Sequence, residues 1–262
     1  MKLVLLTQDA PLYLGQFLND LLQELKTLPI EVEGVVVLSP IFKKSTFAEL
    51  KARYKLYGLR DFALMLGHII KEKICAKTKT LFALKPFYSV ANALAAHKTR
   101  ELRFKDVNSA EFKNFLRDEQ VDIMLSIACP KIISAETLAI PKVACLNYHT
   151  GKLPKYRGRQ PLYWALLNGE KEVGISIHEM AADIDDGPIL VQETINIDSL
   201  MSLHQLYLRT LGVGPSLIAQ AIKMVLENNP QRIENKTESS SYNSFPTQDD
   251  GLKFRERGLR YY

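Results

Sequence analysis

Apolar residues fall in short blocks separated by helical stripes, and the blocks set the reading of the whole chain. Leu3 to Leu6 is an uninterrupted apolar run, so residues 2–7 read as a strand buried on both faces. Residues 11–25 then carry Leu14, Phe17, Leu18, Leu21, Leu22 and Leu25 at helical spacing. Residues 32–38 return to a strand, stopped by Ser39-Pro40. This β-α-β opening predicts a parallel sheet with a right-handed crossover. Residues 46–75 read as one or two helices broken near Gly58, and residues 77–87 as a basic, aromatic connector or a loop over a site. Arg103-Phe104 suggests a short strand. Ser109 is placed to cap a helix over residues 110–119, with Glu111 favourable in its first turn. Strand 122–128, a turn at Cys129-Pro130-Lys131 and a short helix capped by Ser134 follow. A strand at 143–146 then delivers Asn147-Tyr148-His149. Further on come a helix at 160–168 ended by Gly169, strands at 174–178 and 189–197, and a long closing helix at 201–226. The run Gly212-Val213-Gly214-Pro215 predicts a break in that last helix. Residues 228–241 are polar and read as a linker, before a short basic, aromatic tail at 244–262. The expected class is α/β: a Rossmann-like, mostly parallel sheet with helices on both faces. Its divisions are a main domain at 1–226 and an appendage at 227–262.

Composition narrows the function. The 262 residues are 47% hydrophobic, enough for a substantial core. The net charge of +5 suits an anionic ligand but does not by itself indicate nucleic-acid binding. The N-terminal apolar run is too short for a signal peptide, and no apolar stretch is long enough to span a bilayer. Cys75, Cys129 and Cys145 lie far apart without metal-ligand spacing, so reduced thiols, a cytoplasmic location and no bound metal are expected. Cys129 sits at the end of a strand, where a nucleophile would be placed, yet it has no basic partner in sequence; a buried thiol is the ordinary reading. The loop Thr7-Gln8-Asp9-Ala10-Pro11 lacks a glycine-rich phosphate fingerprint, which disfavours NAD. The basic residues Lys51, Arg53, Lys55, Arg60, Lys71 and Lys73 read as a solvated helix face or a phosphate contact, and His68 as a packed histidine.

The candidate chemistry concentrates between Cys145 and Val191. Strand alternation puts Asn147 and His149 on one side and Tyr148 on the other. An amide donor beside an imidazole suits stabilisation of an oxyanion together with proton transfer. Downstream, Ala182-Asp183-Ile184-Asp185-Asp186-Gly187-Pro188 is an acidic loop leading into a strand.

This stretch resembles the folate-dependent formyltransferase family. The resemblance rests on N-x-H at Asn147 and His149, Leu153-Pro154-x-Tyr156-Arg157-Gly158, Pro161 and Trp164-Ala165. It continues through Gly169, Gly174-x-Ser176-x-His178 and Ile184-Asp185-x-Gly187. One departure is Gly151, where several members carry serine. The resemblance implies 10-formyltetrahydrofolate as one-carbon donor, no metal, and a catalytic trio of Asn147, His149 and Asp185. In that assignment Asn147 holds the oxyanion, His149 moves protons, and Asp185 orients His149. It also implies a pterin pocket lined mainly by backbone at Met180, Ala181, Ala182, Asp183, Ile184 and Gly187. His178 is expected beside the site. Arg157 is expected to pin the connecting loop by ion pairing, Asp183 and Asp186 to serve solvation and turn chemistry, and Tyr156 and Trp164 to pack. For the acceptor, a small amine is expected, first an amino-sugar nucleotide. Methionyl-tRNA formyltransferases carry a C-terminal barrel, for which residues 227–262 are too few. Initiator tRNA remains the runner-up acceptor, with the basic tail as a candidate RNA arm or homodimer contact. A formyltetrahydrofolate hydrolase and a catalytically silent binding domain are the other readings. No membrane partner is expected.

Overall fold

Strict alternation in β1 (Lys2–Gln8) sends Leu3 and Leu5 into one core and Val4 and Leu6 into another. That division organises the computed structural model, which describes residues 1–10, 13–39, 46–78, 89–228, 230–235 and 240–262. The first core lies under α1 (Leu14–Leu25) and α3 (Val90–His97), and the second under α4 (Ala110–Asp118). β2 (Glu31–Leu38), β3 (Glu101–Leu102), β4 (Ile123–Ile127) and β5 (Ala144–His149) join β1 in parallel, in the order β3-β2-β1-β4-β5. β7 (Glu172–Glu179) and β8 (Ile189–Asn196) extend the sheet to seven strands, β7 antiparallel to both neighbours. The α/β, mostly parallel expectation holds. Between β5 and β7 lie β6 (Arg157–Gly158) and α6 (Pro161–Asn168), the latter ended by Gly169 at φ 77°. The short α5 (Ala135–Leu138) is capped by Ser134, and α4 by Ser109, as their spacing predicts.

Several local expectations shift. The short strand falls at Glu101–Leu102 and not at Arg103-Phe104, because Leu102 is the residue that pairs with β2 and buries. α2 (Thr46–Thr78) is interrupted at Gly58, whose φ of 79° and ψ of 172° are not helical. The connector expected at 77–87 and the start of the first helix at Pro11 fall largely outside the described residues, as does the Cys75 side chain. α7 (Leu203–Leu226) is continuous through the run that predicts a break. Pro215 removes one backbone donor, a cost of about 3 kcal/mol in an isolated helix interior. Burial of Gly214, Pro215 and Ile218 against the sheet offsets it. Gly214 is there for contact: a Cβ would stand 2.5 Å from Phe17 Cε2 and 2.7 Å from Tyr148 Cε2.

The segment after α7 folds back on the domain. β9 (Tyr242–Asn243) pairs in parallel with β6, and α8 (Gln248–Glu256) starts from a capping box at Thr247. Phe254 and Tyr261 are buried in a third core with Tyr163, Leu162 and Leu206. Tyr262 stacks on His204 at 4.2 Å, and its hydroxyl lies 2.9 Å from His68 Nδ1, so His68 is indeed a packed, paired histidine. Among the described residues, no helix is long and apolar enough to cross a membrane.

Candidate active site

The pleat of β5 turns Leu146 and Tyr148 to the first core, and Cys145 to the second. Tyr148 packs on Phe17 and donates to Thr210 O at 2.9 Å, which anchors the strand end. Asn147 and His149 therefore share the other side, as the alternation predicts. The antiparallel register sets His178 directly across from Asn147. After β7 the chain makes a tight excursion and closes on itself where Glu179 N–H donates to Pro188 O at 2.9 Å. Gly187 makes that closure possible, since a Cβ there would lie 1.9 Å from Glu179 O. At the far end of the excursion Asp185 adopts φ 50°, a left-handed conformation that aspartate tolerates better than most residues.

Asp185 gathers the site. Its Oδ1 accepts from Asn147 Nδ2 at 3.2 Å and lies 3.4 Å from His178 Nε2. Its Oδ2 accepts from Gly158 N–H at 2.8 Å and stands 3.5 Å from His149 Nδ1. The tautomers follow from the remaining partners. His178 Nδ1 lies 2.8 Å from Glu179 O, so that nitrogen donates and Nε2 accepts from Asn147 Nδ2 at 3.1 Å. His149 Nε2 lies 2.8 Å from Tyr156 O and likewise donates, which leaves Nδ1 toward Asp185. A proton arriving at Nδ1 would meet the carboxylate, converting a lone-pair contact into a charge-assisted pair. His149 is only 6% exposed, and burial pushes its pKa below the ordinary 6.5. Asp185 pulls it the other way, while His178 and Arg157 add to the lowering. For Asp185, burial alone would raise the carboxyl. His149, His178 and the Gly158 N–H overcome that and hold it well below the usual carboxylate range.

The loop is held from both sides. Arg157 Nε donates to Ile184 O at 2.8 Å, and its guanidinium pairs with Asp186 Oδ1 at 2.9 Å. The ion-pairing role expected of Arg157 is present, and Asp186, expected to serve solvation, is its partner. From the other side Asn235 Nδ2 donates to Asp185 O and Gly187 O at 2.9 and 3.0 Å. Sequence reasoning missed Asn235, because it lies in a polar run without periodicity that reads as a linker. Of the residues expected to line a pterin pocket, Ala181, Ala182 and Asp183 are exposed, and Met180 is half-buried against the second core. Ile184 and Gly187 instead give their carbonyls to Arg157 and Asn235.

Neighbouring residues fall into supporting roles. Tyr156 donates its hydroxyl to Glu170 at 2.6 Å while its carbonyl accepts from His149 Nε2, and Trp164 Nε1 donates to Ser244 O at 3.0 Å. A Cβ on Gly151 would stand 2.4 Å from His149 Nε2, so glycine at this departure from the family pattern is what lets the ring lie where it does. Cys129 is half-buried, and burial pushes its thiol up to about 11, unsuited to a nucleophile at neutral pH. Among the described residues, no group of three or more His, Cys, Asp or Glu could hold a metal ion.

Known proteins share this framework. The family model for formyl transferase matches residues 71–222, more than half of the chain. The bifunctional polymyxin resistance protein ArnA of Wigglesworthia glossinidia brevipalpis is 34% identical over 166 residues, 63% of this chain and 25% of that protein. Methionyl-tRNA formyltransferase of Clostridioides difficile is 29% identical over 131 residues, 50% of this chain and 42% of that protein. The chain thus spans less than half the length of either relative. Among solved structures, the N-formyltransferase from Helicobacter canadensis shares the fold. It has a TM-score of 0.60 at 16% identity, over 99% of this chain and 83% of that one. By the extent of the family match and the agreement in fold, the protein belongs to the formyl transferase family.

Proposed function

We propose that the protein moves a formyl group from 10-formyltetrahydrofolate to a primary amine, with Asn147, His149 and Asp185 performing the transfer. The observation that carries this reading is the convergence of Asn147, His149 and His178 on the buried Asp185 carboxylate, each within 3.5 Å. Attack of an amine on a formyl carbon turns the carbonyl oxygen into an oxyanion and leaves the amine with a proton to lose. Asn147 Nδ2 supplies the oxyanion donor. Its bonds, 3.1 Å to His178 Nε2 and 3.2 Å to Asp185 Oδ1, are long, so they are readily exchanged as charge develops. His149, kept neutral by burial, takes the amine proton through water at Nδ1. Asp185 Oδ2 then stabilises the imidazolium. The proton is returned to the folate nitrogen as its bond to the formyl carbon breaks. The exposed residues Ala181, Ala182 and Asp183, together with the half-buried Met180, offer backbone groups to the pterin, with Ile184 and Gly187 fixing the loop behind it. In this reading residues 1–226 carry the catalytic elements, while Arg232, Ile233 and Asn235 close the acidic loop and Phe254 and Tyr261 the third core. Cys129 and Cys145 are free thiols, as suits the reducing cytoplasm where such substrates occur.

For the acceptor, the proposal is a nucleotide-linked amino sugar. The tail that reads as a possible RNA arm is committed elsewhere: Phe254 and Tyr261 are buried, and Arg255, Arg257 and Arg260 donate to Leu56 O, Leu167 O and Leu200 O. The Helicobacter canadensis neighbour is described in complex with folinic acid and dTDP-3-aminofucose, a precedent for this pairing of ligands on the fold. Initiator tRNA is the second reading. It is favoured by the relatives named methionyl-tRNA formyltransferase and by the exposed Lys51, Arg53, Lys55, Arg60, Lys71 and Lys73 of α2. Purified protein with 10-formyltetrahydrofolate, offered a panel of nucleotide-linked amino sugars and charged initiator tRNA, decides between them. Efficient formylation of tRNA that falls steeply with salt and is lost on reversing charge at Lys51 and Lys55 would replace the sugar reading. Formyl release without any amine would point to hydrolysis.

A further inference from the structure

The six residues 230–235, which read as part of a linker, cross the acidic loop at three levels. Arg232 pairs with Glu179 at 2.7 Å, beside the start of the loop. Ile233 exchanges both backbone hydrogen bonds with Ile189, just past its end, at 2.8 and 2.9 Å. Asn235, 8% exposed, donates to Asp185 O and Gly187 O in the middle. The Arg232 pair is exposed and contributes little. The Asn235 contacts are buried, and they act where the conformation of Asp185 is decided. A peptide unit is planar, so the two units flanking a Cα fix its φ and ψ once each is held. Arg157 holds the unit before Asp185 through Ile184 O. Asn235 holds the unit after it through Asp185 O. Between them stands a residue at φ 50°, a conformation that persists only where the surroundings impose it. Its carboxylate must reach Gly158, Asn147, His149 and His178 together.

We propose that Asn235 is a positioning residue for the formyl-transfer site, locking the Asp185 backbone so that the carboxylate faces His149 and Asn147. The inference rests on the formyl-transfer reading for its kinetic consequence, but not for its structural one. Asn235→Asp discriminates the role. It matches asparagine in shape, so a residue that only fills space tolerates it. A residue that donates to two carbonyls does not, since the carboxylate sets acceptor against acceptor. The expected result is that Asn235→Ala and Asn235→Asp both lower kcat, on the order of 100-fold for a displaced catalytic group. The KM for the amine should stay within a few-fold, and Asn235→Asp should be the worse of the two at neutral pH. NMR titration of the His149 imidazole, without substrates, supplies the second readout. His149 faces Asp185, His178, Arg157 and the Tyr156 carbonyl. Loosening Asp185 removes an attraction for the proton, so the His149 titration should move to lower pH in Asn235→Ala, which adds no charge of its own. A folded Asn235→Ala with wild-type kcat and wild-type His149 titration would overturn the proposal. Loss of the fold in both variants would also overturn it, in favour of a purely structural role. If the wild-type protein transfers no formyl group, the titration alone still decides the positioning claim, so the two failures are told apart.

Discussion

Replacing Asp185 by asparagine removes one charge from the centre of the site while keeping its shape, and the structure sets the size of the effect. The lost carboxylate oxygen stands 3.5 Å from His149 Nδ1. Two opposite charges about 4 Å apart attract by roughly 4 kcal/mol at an effective dielectric near 20, which is a ceiling once hydration is counted. An opposite charge at this range typically moves a pKa by about 1–3 units. The His149 titration, already lowered by burial, should therefore fall further by about that amount in Asp185→Asn. Geometry suffers as well. The new amide nitrogen must face either the Gly158 N–H or Asn147 Nδ2, donor against donor. Turnover should drop on the order of 100- to 1000-fold, as for the loss of one preorganised electrostatic group. Direct folate titration should stay close to wild type, since the loop carbonyls of residues 184, 185 and 187 remain tied to Arg157 and Asn235. Stability adds an independent check. The folded pKa of Asp185 lies below its unfolded value, so its contribution is present above about pH 4 and is lost as pH falls toward the folded pKa. Denaturant unfolding should show a wild-type advantage at pH 7 that shrinks below pH 4. Unchanged turnover at saturation with weakened folate binding would make Asp185 a pocket residue. An unmoved His149 titration would refute the electrostatic argument itself.

Four further outcomes follow from the same geometry. His149 binds its proton less readily folded than unfolded, so stability should decline as pH falls below about 6.5 and kcat/KM should decline only at lower pH, where the folded imidazole titrates; His149→Gln should flatten that part of the stability profile. Gly151→Ala should displace the His149 ring, because its Cβ would stand 2.4 Å from Nε2; turnover should fall more than tenfold, while Tm reflects only overpacking of about 1–3 kcal/mol. Gly214→Ala should lower stability by a similar 1–3 kcal/mol despite alanine's better helix propensity, since the methyl would meet Phe17 and Tyr148; a rise in Tm would contradict the packing account. Phe254→Ala should cost about 3–5 kcal/mol in urea unfolding, because its ring is fully buried and stacks on Tyr163 at 4.8 Å.

Much of the fold was legible because the signal is local. The run Leu3 to Leu6 and the stripe from Leu14 to Leu25 each declare an element from a handful of neighbours, and the caps at Ser109 and Ser134 mark helix starts within one turn. Where the sequence misled, tertiary contact outweighed a local preference. Gly212 to Pro215 carries the chemistry of a break, yet Gly214 stays helical because only a residue without a side chain lets α7 lie on Phe17 and Tyr148. The polar run at 228–241 carries the chemistry of a linker. Within it, Arg232, Ile233 and Asn235 are held by partners distant in sequence, Glu179, Asp185, Gly187 and Ile189, which no window of neighbouring residues can display.

The site divides along the same line. Asn147 and His149 stand out because a strand end presents alternate residues to one side, and that is readable two positions apart. Asp185 stands out only through its surrounding pattern, since an aspartate in an acidic loop is ordinarily solvated. What makes it different is the set of groups that remove its freedom: the Gly158 amide, Arg157 on the preceding carbonyl and Asn235 on its own. A carboxylate free to rotate in water would titrate in the ordinary range and spend little time facing His149. Held in a left-handed turn and buried among two histidines and an amide, it stays ionised and aimed. The groups proposed to react are thus carried by short-range pattern, while their alignment depends on residues up to 50 positions away whose only signature is the backbone they hold.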